Sequence, residues 1–420
     1  MSHTRDAMGH PLVDFDHHSA DFRDHGISRA ASLRAKCPVA YTESHGGFWV
    51  LSRREDIATA TKDVETFRSG HELVERDGIK LAGIGIPETP LVTGLAEHDP
   101  PEWQLYRKAL TPLLTPTAVE KLRPRIREIT TKVIDDVIET GRVDFIRDVI
   151  NPVPARVTML VVGLPMSMAE RLESAVHTID GASPQGLDPE VAAAFAVILD
   201  VVATALATTR QQPPEDTVLS RLVCLADDHG LTDEDITSVA LSVVLGGIGT
   251  TTATLGHALR HLDDSHAHRK ALTQDPGLLP KAVEELLRTF PPVVGMARTV
   301  AQDTVLGGEQ LRRGERVLLL YASANRDERA FESPDEIILN RRANRHSTFG
   351  LGIHRCIGAN LARAEIAIVL SEILRRMPDY ALERGGMERY ETVGFVDGYR
   401  RLPATFTPGS KIGQRDLSAG

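Results

Sequence analysis

The sequence predicts a mainly helical chain of the α-rich α+β class, with small β-sheets at its edge. Apolar residues recur at helical spacing over residues 120–139, and residues 233–262 have the pattern of one long helix. Strand-like runs are short, over residues 48–52 and 316–321 and near Thr405. No low-complexity linker divides the 420 residues, so these elements are expected to form one body.

Charge and cysteine content exclude several classes of protein. The net charge of −10 argues against non-specific nucleic-acid binding through a large basic face. Three cysteines are too few for a disulfide framework and fit a reducing compartment. The first thirty residues are polar, which predicts neither a signal peptide nor a membrane anchor. We therefore expect a cytoplasmic protein.

Residues 191–209 are almost all apolar or small, and such a run is long enough to cross a bilayer. Asp200 lies at its middle, where a charged side chain costs about 2.5–3.5 kcal/mol on insertion scales. The run is also rich in alanine and threonine and has few leucines or aromatic residues. We predict a helix of a soluble domain here and no membrane insertion.

The predicted helix over residues 233–262 begins with a clear signal but has a weak centre. Thr232 supplies an N-cap, and acidic residues follow it in the first turn. Such a helix would span roughly 45 Å and cross the core. Its middle contains Gly246, Gly247 and Gly249, and each glycine costs about 1 kcal/mol relative to alanine. These glycines serve either close helix packing or ligand binding, and the helix alone does not decide between the two.

Residues 349–358, Phe-Gly-Leu-Gly-Ile-His-Arg-Cys-Ile-Gly, carry the most specific motif of the chain. A thiolate that ligates iron needs backbone N–H groups around the sulfur and a helix N-terminus beside it. Gly350, Gly352 and Gly358 permit such a loop, and an apolar helix-forming run follows Cys356. A buried structural cysteine is the alternative, but it does not account for the glycines.

The spacing F-x-x-G-x-x-x-C-x-G resembles the haem-binding loop of the cytochrome P-450 family. The resemblance implies a triangular helical body in which a long central helix lies over haem b. It implies that Cys356 is the axial ligand of the haem iron and that Phe349 and Gly358 belong to the haem-binding loop. It divides the chain into a polar extension over residues 1–30, a single catalytic domain over residues 31–410 and a tail over residues 411–420.

In the central helix, the resemblance implies an oxygen-binding groove. Gly247, Thr250 and Thr251 match the family pattern, in which glycines make room for the cofactor and dioxygen and the hydroxyls assist catalysis. Gly249 stands where the family has an acid that helps to deliver protons. This departure indicates either another proton route or chemistry that does not require standard oxygen activation.

Haem carries two propionates, which need cationic or N–H partners. Trp103 and Arg107 share a helical face, and with Arg298 and His354 they match family positions that bind the propionates. His98 is a further candidate from the loop before Trp103.

A second set of positions resembles a structural network of the family. Glu285 and Arg288 lie three residues apart on one predicted helix, so their side chains share a face. The resemblance completes the pair with Arg341. We interpret these three residues as scaffold, with no part in catalysis.

The expected partners follow from charge and composition. Residues 340–364 contain five arginines and no acid, which suits docking of an acidic protein. The resemblance implies dioxygen as co-substrate and a separate ferredoxin or flavodoxin as electron donor. The low aromatic content, 5%, and the aliphatic character of the expected pocket favour a hydrophobic small-molecule substrate. Its predicted contacts are Val293, Val294, Met296 and Phe395.

Three functional hypotheses follow. The first is a haem-thiolate monooxygenase that oxidises, most simply by hydroxylation, a hydrophobic small molecule. The second is a haem-thiolate enzyme of atypical chemistry, such as oxidative coupling, dehydrogenation or peroxide-dependent oxidation, and Gly249 motivates it. The third is a non-enzymatic haem sensor, against which the retained Thr250 and the arginine-rich segment argue.

Overall fold

The structure is a computed structural model that describes residues 5–72, 74–89, 92–182 and 188–413. Residues 1–4 of the predicted extension and 414–420 of the predicted tail lie outside the described residues. The body is mainly helical, as predicted. Its helices are α1 (Ala20–Lys36), α2 (Arg54–Lys62), α3 (Glu102–Leu110), α4 (Pro116–Val137), α5 (Pro152–Val162), α6 (Ala169–Asp180), α7 (Pro189–Thr209), α8 (Val218–His229), α9 (Asp233–Asp264), α10 (His266–Gln274), α11 (Leu279–Thr289), α12 (Tyr321–Ala324) and α13 (Ala359–Arg376).

The β-structure forms small sheets around this body. The strands are β1 (Val39–Thr42), β2 (Phe48–Leu51), β3 (Phe67–Arg68), β4 (Arg142–Asp144), β5 (Met296–Val300), β6 (Thr304–Leu306), β7 (Glu309–Leu311), β8 (Arg316–Leu319), β9 (Ala381–Leu382), β10 (Glu388–Arg389), β11 (Tyr399–Arg401) and β12 (Pro403–Thr405). The largest sheet has the order β1-β2-β8-β5-β3, in which only β2 and β8 run parallel. Strands β4, β12 and β9 form a second sheet, and the pairs β6–β7 and β10–β11 each form a two-stranded sheet.

The N-terminal segment packs against the largest sheet. Ser19 caps α1 by accepting a hydrogen bond from the Phe22 N–H. Phe15 and Phe22 are buried in a cluster with Phe48 of β2. The predicted boundary at residue 30 therefore falls inside α1, whose sparse apolar residues give little helical periodicity. The division into one catalytic domain and a tail stays a prediction.

Helix α9 crosses the body as one element of 32 residues. Thr232 and Asp235 form a capping box, in which each side chain accepts a hydrogen bond from the other residue's N–H. Helices α7 and α9 are both long and apolar enough to cross a membrane by length and composition. In the most apolar stretch of α9, 56% of the residues are buried inside the protein. The core helix of a soluble protein can have the same length and composition.

The glycines of α9 have different surroundings. A Cβ built at Gly247 would lie 2.5 Å from Thr158 Oγ1 on α5, so this glycine permits the close approach of two helices. A Cβ at Gly246 would meet no atom within 4 Å. A Cβ at Gly249 would overlap the carboxyl group of Asp180 on α6, where even the farther oxygen, Oδ1, would be 2.7 Å away. Of these three glycines, Gly247 is explained by the packing of two helices, whereas the space beside Gly249 is occupied by a carboxyl group.

A buried ionic network is centred on Glu285 of α11. Both its oxygens accept hydrogen bonds from Arg288, at 2.9 Å each, and both side chains are fully buried. The Arg341 Nε lies 3.0 Å from Glu285 Oε2. The Ile338 N–H and the Asn344 side-chain amide also donate to the carboxylate, at 2.8 and 3.0 Å. Glu285 therefore holds together α11 and the chain that leads to the cysteine loop.

The network extends to the residue before that loop. Arg288 donates to the carbonyl oxygens of Asn325 and Glu336, at 2.8 and 2.9 Å. The Asn325 side-chain amide donates to Thr348 Oγ1 at 2.8 Å, and the same hydroxyl donates to the Leu287 carbonyl oxygen at 2.7 Å. The entrance of the cysteine loop is thus fixed to α11 by side chains.

We predict that Glu285→Gln lowers the free energy of unfolding by about 3–5 kcal/mol, because two buried guanidinium groups lose their counter-charge. Burial by itself would raise the pKa of Glu285, but the hydrogen bonds from Arg288, Ile338 and Arg341 outweigh it and lower the pKa. This stabilisation is present above the ordinary carboxyl pKa and is lost as pH falls through the folded-state pKa. Urea denaturation at several pH values measures it.

The matched control is Glu332→Gln, which changes an exposed glutamate of the same segment. A difference between wild type and Glu285→Gln that persists undiminished in acid would contradict the ionic origin of the effect.

A second prediction compares two glycines of α9. Gly246→Ala should raise the free energy of unfolding by about 0.5–1 kcal/mol, because alanine favours helix and the added methyl meets no atom. Gly249→Ala should lower it by about 1–3 kcal/mol, because the methyl overlaps the Asp180 carboxyl. Thermal or urea unfolding distinguishes the two, and an equal gain for both variants would show that Asp180 does not occupy this space.

Candidate functional site

A largely apolar cavity lies between the centre of α9 and the cysteine loop, residues 349–358. Helices α3, α5 and α13 and strand β5 contribute to its wall. The predicted residues that line it are Trp103, Arg107, Gly247, Thr250, Thr251, Val293, Met296, Arg298, Phe349, His354, Cys356 and Gly358. The fold therefore gathers these predicted residues from four separate parts of the sequence around one space.

The cysteine loop is a tight turn that presents its sulfur to this space. The Cys356 N–H donates to the Phe349 carbonyl oxygen at 2.7 Å. Gly350 and Gly352 have φ of 69° and 68°, the left-handed region that favours glycine. Helix α13 begins at Ala359, so its positive end lies close to the sulfur.

The surroundings of Cys356 act on its pKa in both directions. Burial among protein atoms raises the pKa of the thiol above its usual value, and a hydrogen bond from Gly358 and the charges of Arg107, Arg355 and Arg363 offset only part of that rise. The side chain is nevertheless exposed by surface area, because its free surface faces the cavity. A bound metal ion displaces the proton of a coordinating thiol, and the loop is built to stabilise the thiolate that results.

One edge of the cavity collects hydrogen-bond donors. The Trp103 and His354 rings lie 5.8 Å apart, and the Arg107 guanidinium lies 5.9 Å from the Trp103 ring. The His354 Nε2 is buried and has no hydrogen-bond partner, since Asp99 Oδ1 is 4.0 Å away. Burial, with the nearby charges of Arg298 and Arg107, lowers the pKa of His354 to about 3.

This arrangement fits haem b. In the described part of the chain, neither Arg107 nor Arg298 forms an ion pair with a carboxylate, and His354 has an unpaired donor site. The two propionates of haem supply the acceptors that such an edge requires. No cluster of three or more metal-ligating side chains occurs in the described ranges. The Cys356 sulfur is the group suited to the iron.

Four predicted residues do not line the cavity, namely His98, Gly249, Val294 and Phe395. The His98 ring packs on Tyr106, with 5.1 Å between centroids. Val294 is buried in the sheet cluster because it points away from the side on which its neighbour Val293 meets the cavity. Phe395 lies against His18 instead, with 4.8 Å between ring centroids.

The structure also adds lining residues that the motifs do not include. Ser242, Val243 and Thr254 belong to the face of α9 that carries Thr250 and Thr251, and helical spacing would have identified them. Glu365 of α13 is buried, and its Oε2 has no hydrogen-bond partner. Burial raises the pKa of Glu365 well above its usual range, and no local sequence signal marks this residue.

The arginine-rich segment is only partly available to a partner. Arg341 is bound in the Glu285 network, and Arg363 pairs with a glutamate of α11. Arg342, Arg345 and Arg355 are exposed. Of the five arginines of the segment, three are therefore exposed, because glutamates of α11 hold the other two.

Basic residues from elsewhere in the chain extend this surface. The Arg54 guanidinium of α2 donates to the Arg345 carbonyl oxygen at 3.0 Å. Lys62 and Arg329 line the same groove as Arg345. We call the surface formed by the three exposed arginines of the segment, together with Arg54, Lys62 and Arg329, the basic face.

Comparisons with known proteins agree with this site. The cytochrome P450 family profile matches residues 184–378. Cytochrome P450 130 of Mycobacterium tuberculosis is 33% identical over 344 residues, which cover 79% of this chain and 82% of that protein. The steroid C26-monooxygenase of Mycolicibacterium smegmatis is 33% identical and covers 90% of this chain and 92% of its own length.

Among solved structures, Mycobacterium marinum cytochrome P450 CYP268A2 in complex with pseudoionone superposes with a TM-score of 0.84. It has 29% sequence identity, and the match covers 94% of this chain and 99% of that one. Fold, cavity and relatives therefore agree, and the chain belongs to the cytochrome P450 family of monooxygenases, whose members carry haem b on a cysteine thiolate.

Proposed function

We propose that the protein hydroxylates a hydrophobic small molecule with dioxygen and two electrons from a separate acidic ferredoxin or flavodoxin. The observation that carries this proposal is the Cys356 sulfur, which faces an apolar cavity crossed by Thr250 and Thr251 of α9. When bound, haem with a thiolate ligand supplies the chemistry that activates dioxygen. The net reaction consumes two electrons and two protons and yields an alcohol and water.

The chain's own residues have distinct tasks in this proposal. Cys356 would hold the haem iron through its sulfur. Arg107, Arg298 and His354 would bind the propionates, and Trp103 would donate a hydrogen bond from the same edge. Phe349 and Gly358 shape the loop around the sulfur. The apolar remainder of the wall excludes water from the reacting centre, which strengthens electrostatic interactions there.

The substrate contacts proposed are Val293 and Met296, which line the cavity together with residues of α5 and α9. Apolar walls favour a substrate that gains by leaving water. The names of two relatives, a steroid monooxygenase and a P450 solved with pseudoionone, also support an apolar substrate class.

A second candidate is atypical haem-thiolate chemistry, such as oxidative coupling, dehydrogenation or peroxide-dependent oxidation. Gly249, which leaves α9 without an acid at this position, favours it. Turnover with a ferredoxin system and turnover with hydrogen peroxide, measured on one panel of compounds, separate the candidates. Hydroxylated product formed only with the ferredoxin system supports the first, and product formed only with peroxide supports the second.

We also propose that the basic face receives the acidic electron donor and that the protein works in the cytoplasm. A concentration of exposed positive charge on a chain of net charge −10 accelerates encounter with an acidic partner. The basic face lies next to the cysteine loop, because Gly352 of that loop packs against the backbone of Thr61 in α2.

Cys356→Ser should abolish the red-shifted carbon monoxide band of thiolate-ligated haem, because the alcohol is a far weaker ligand. Reduced-minus-oxidised spectra under carbon monoxide measure this. The matched control, Cys224→Ser, changes an exposed cysteine and should keep the band. A Cys356→Ser protein that retained the band would refute the assignment of the ligand.

The double substitution Arg342→Glu/Arg345→Glu should slow donor-dependent reduction roughly tenfold at low ionic strength, because charge reversal opposes encounter. Stopped-flow reduction by an acidic ferredoxin measures it, and added salt should narrow the difference. Lys270→Glu, on an exposed position of α10, is the control. Equal slowing in the control would show that the effect is not local to the basic face.

A further inference from the structure

An acid lies beside Gly249 of α9, although it comes from another helix and neither residue lines the cavity. The carboxyl group of Asp180, the last residue of α6, occupies the space that a side chain at Gly249 would fill. A Cβ at Gly249 would have all three atoms of that carboxyl within 2.7 Å. The three atoms nearest to such a Cβ therefore all belong to an acid.

Open space lies at Gly246, on the same face of α9 as Gly249 and Thr250. Gly246 lies between Gly249 and Thr250 around the helix, since positions three and four apart share a face. A Cβ at Gly246 would meet no atom within 4 Å, and Gly246 and Thr250 both line the cavity. The Thr250 hydroxyl donates to the Gly246 carbonyl oxygen at 2.7 Å and keeps its lone pairs for another donor.

Hydroxylation with dioxygen requires two protons per product, because R–H, O₂, two electrons and two protons give R–OH and water. These protons must enter a cavity whose wall is largely apolar. We propose that Asp180 supplies the groove with the acid that α9 lacks, and passes protons through water over Gly246 to the Thr250 hydroxyl. This inference rests on the proposed function and adds the residue that serves its proton supply.

The environment of Asp180 suits this task. Burial raises the pKa of Asp180 to about 7, so the carboxyl both gives and takes protons near neutral pH. No cation forms an ion pair with it in the described part of the chain. Charged and titratable groups around this end of α6 include Tyr390 and Arg400, and the charges of Asp144 and Arg147 also act on His177. The Arg400 guanidinium is bound to the Gly181 carbonyl oxygen at 2.6 Å.

His177 and Tyr390 connect this end of α6 with its surroundings. His177 lies one turn before Asp180, and its Nδ1 is 3.5 Å from the Tyr390 hydroxyl. Burial, with the charge of Asp180, raises the pKa of Tyr390, so the phenol stays neutral and keeps its proton. Burial also lowers the pKa of His177, which is therefore neutral at pH 7.

The first test needs no turnover. Asp180→Asn should remove from the infrared spectrum a carboxylic-acid band that titrates near pH 7 in the wild type. A carboxyl with a raised folded-state pKa stabilises the fold when protonated and loses that contribution as pH rises from about 3.8 through about 7. The melting temperature of wild type should therefore fall relative to that of Asp180→Asn over this range.

The second test measures the amount of product formed per electron consumed. The reaction contains the ferredoxin system and, as substrate, a compound whose binding shifts the haem absorption spectrum. Asp180→Asn should cut the rate of product formation roughly 100-fold, as expected for loss of a general acid, and divert electrons to peroxide or water. The pH–rate profile should lose its limb near 7, which a purely structural role would not change.

The matched control moves the acid to the other helix. Asp180→Gly/Gly249→Asp returns a carboxyl to the same space from α9 and should restore coupling, whereas Gly249→Asp alone should not, because two carboxyls would overlap there. If Asp180→Asn fails to fold, this double variant and the wild-type infrared titration carry the test. Full coupling and an unchanged pH profile in Asp180→Asn would overturn the inference. A wild type that binds haem without a thiolate band, or forms no product, would instead refute the proposed function.

Discussion

The Glu285 carboxylate is the point on which the geometry of the site depends. Two guanidinium groups, one backbone N–H and one side-chain amide converge on it inside the protein. A buried ion pair adds little net stability over apolar packing, but breaking it is costly, so it selects one arrangement of the chain. Here it selects the path of the segment that leads through Asn325 and Thr348 to the cysteine loop.

That arrangement creates a cavity with two chemically different ends. Its cationic edge, formed by Arg107 and Arg298 with His354, has no internal carboxylate to satisfy it in the described residues. Its remaining wall is largely apolar and includes α9. In the proposed function, the polar edge and the sulfur orient the cofactor, and the apolar wall selects the substrate by shape and hydrophobicity. The basic face, which is the proposed docking surface of the electron donor, lies outside the cavity where α2 meets the cysteine loop.

The sequence predicted the elements of this site better than their relations. Cys356, Gly350 and Gly352 could be interpreted locally, because a tight thiolate loop leaves its signature in consecutive residues. The capped start of α9 can be predicted for the same reason. Contacts between distant segments cannot be predicted in this way. The predicted boundary at residue 30 falls inside α1. The predicted cavity residues His98 and Phe395 do not reach the cavity, because side-chain direction depends on tertiary packing.

Gly249 shows the same limit most clearly. In the sequence it is a missing acid, and nothing near residue 180 indicates that a carboxyl from α6 meets it. The arginine-rich segment is a similar case, since Arg341 and Arg363 are sequestered by glutamates of α11 that lie about sixty and eighty residues away in sequence. Pairings of this kind become visible only when helices are packed together.

The position of Asp180 has a consequence for timing. An acid fixed on α9 would be present whatever the rest of the protein did. An acid carried by the end of α6, tethered by Arg400 at Gly181, is present only while that helix end is seated against α9. A substrate that held the two helices apart would move Asp180 away from α9 and interrupt the proton supply. A substrate that fitted beneath the helices would leave Asp180 in place. If Asp180 supplies the protons, the contact between α6 and α9 would couple correct placement of the substrate to the reduction of oxygen.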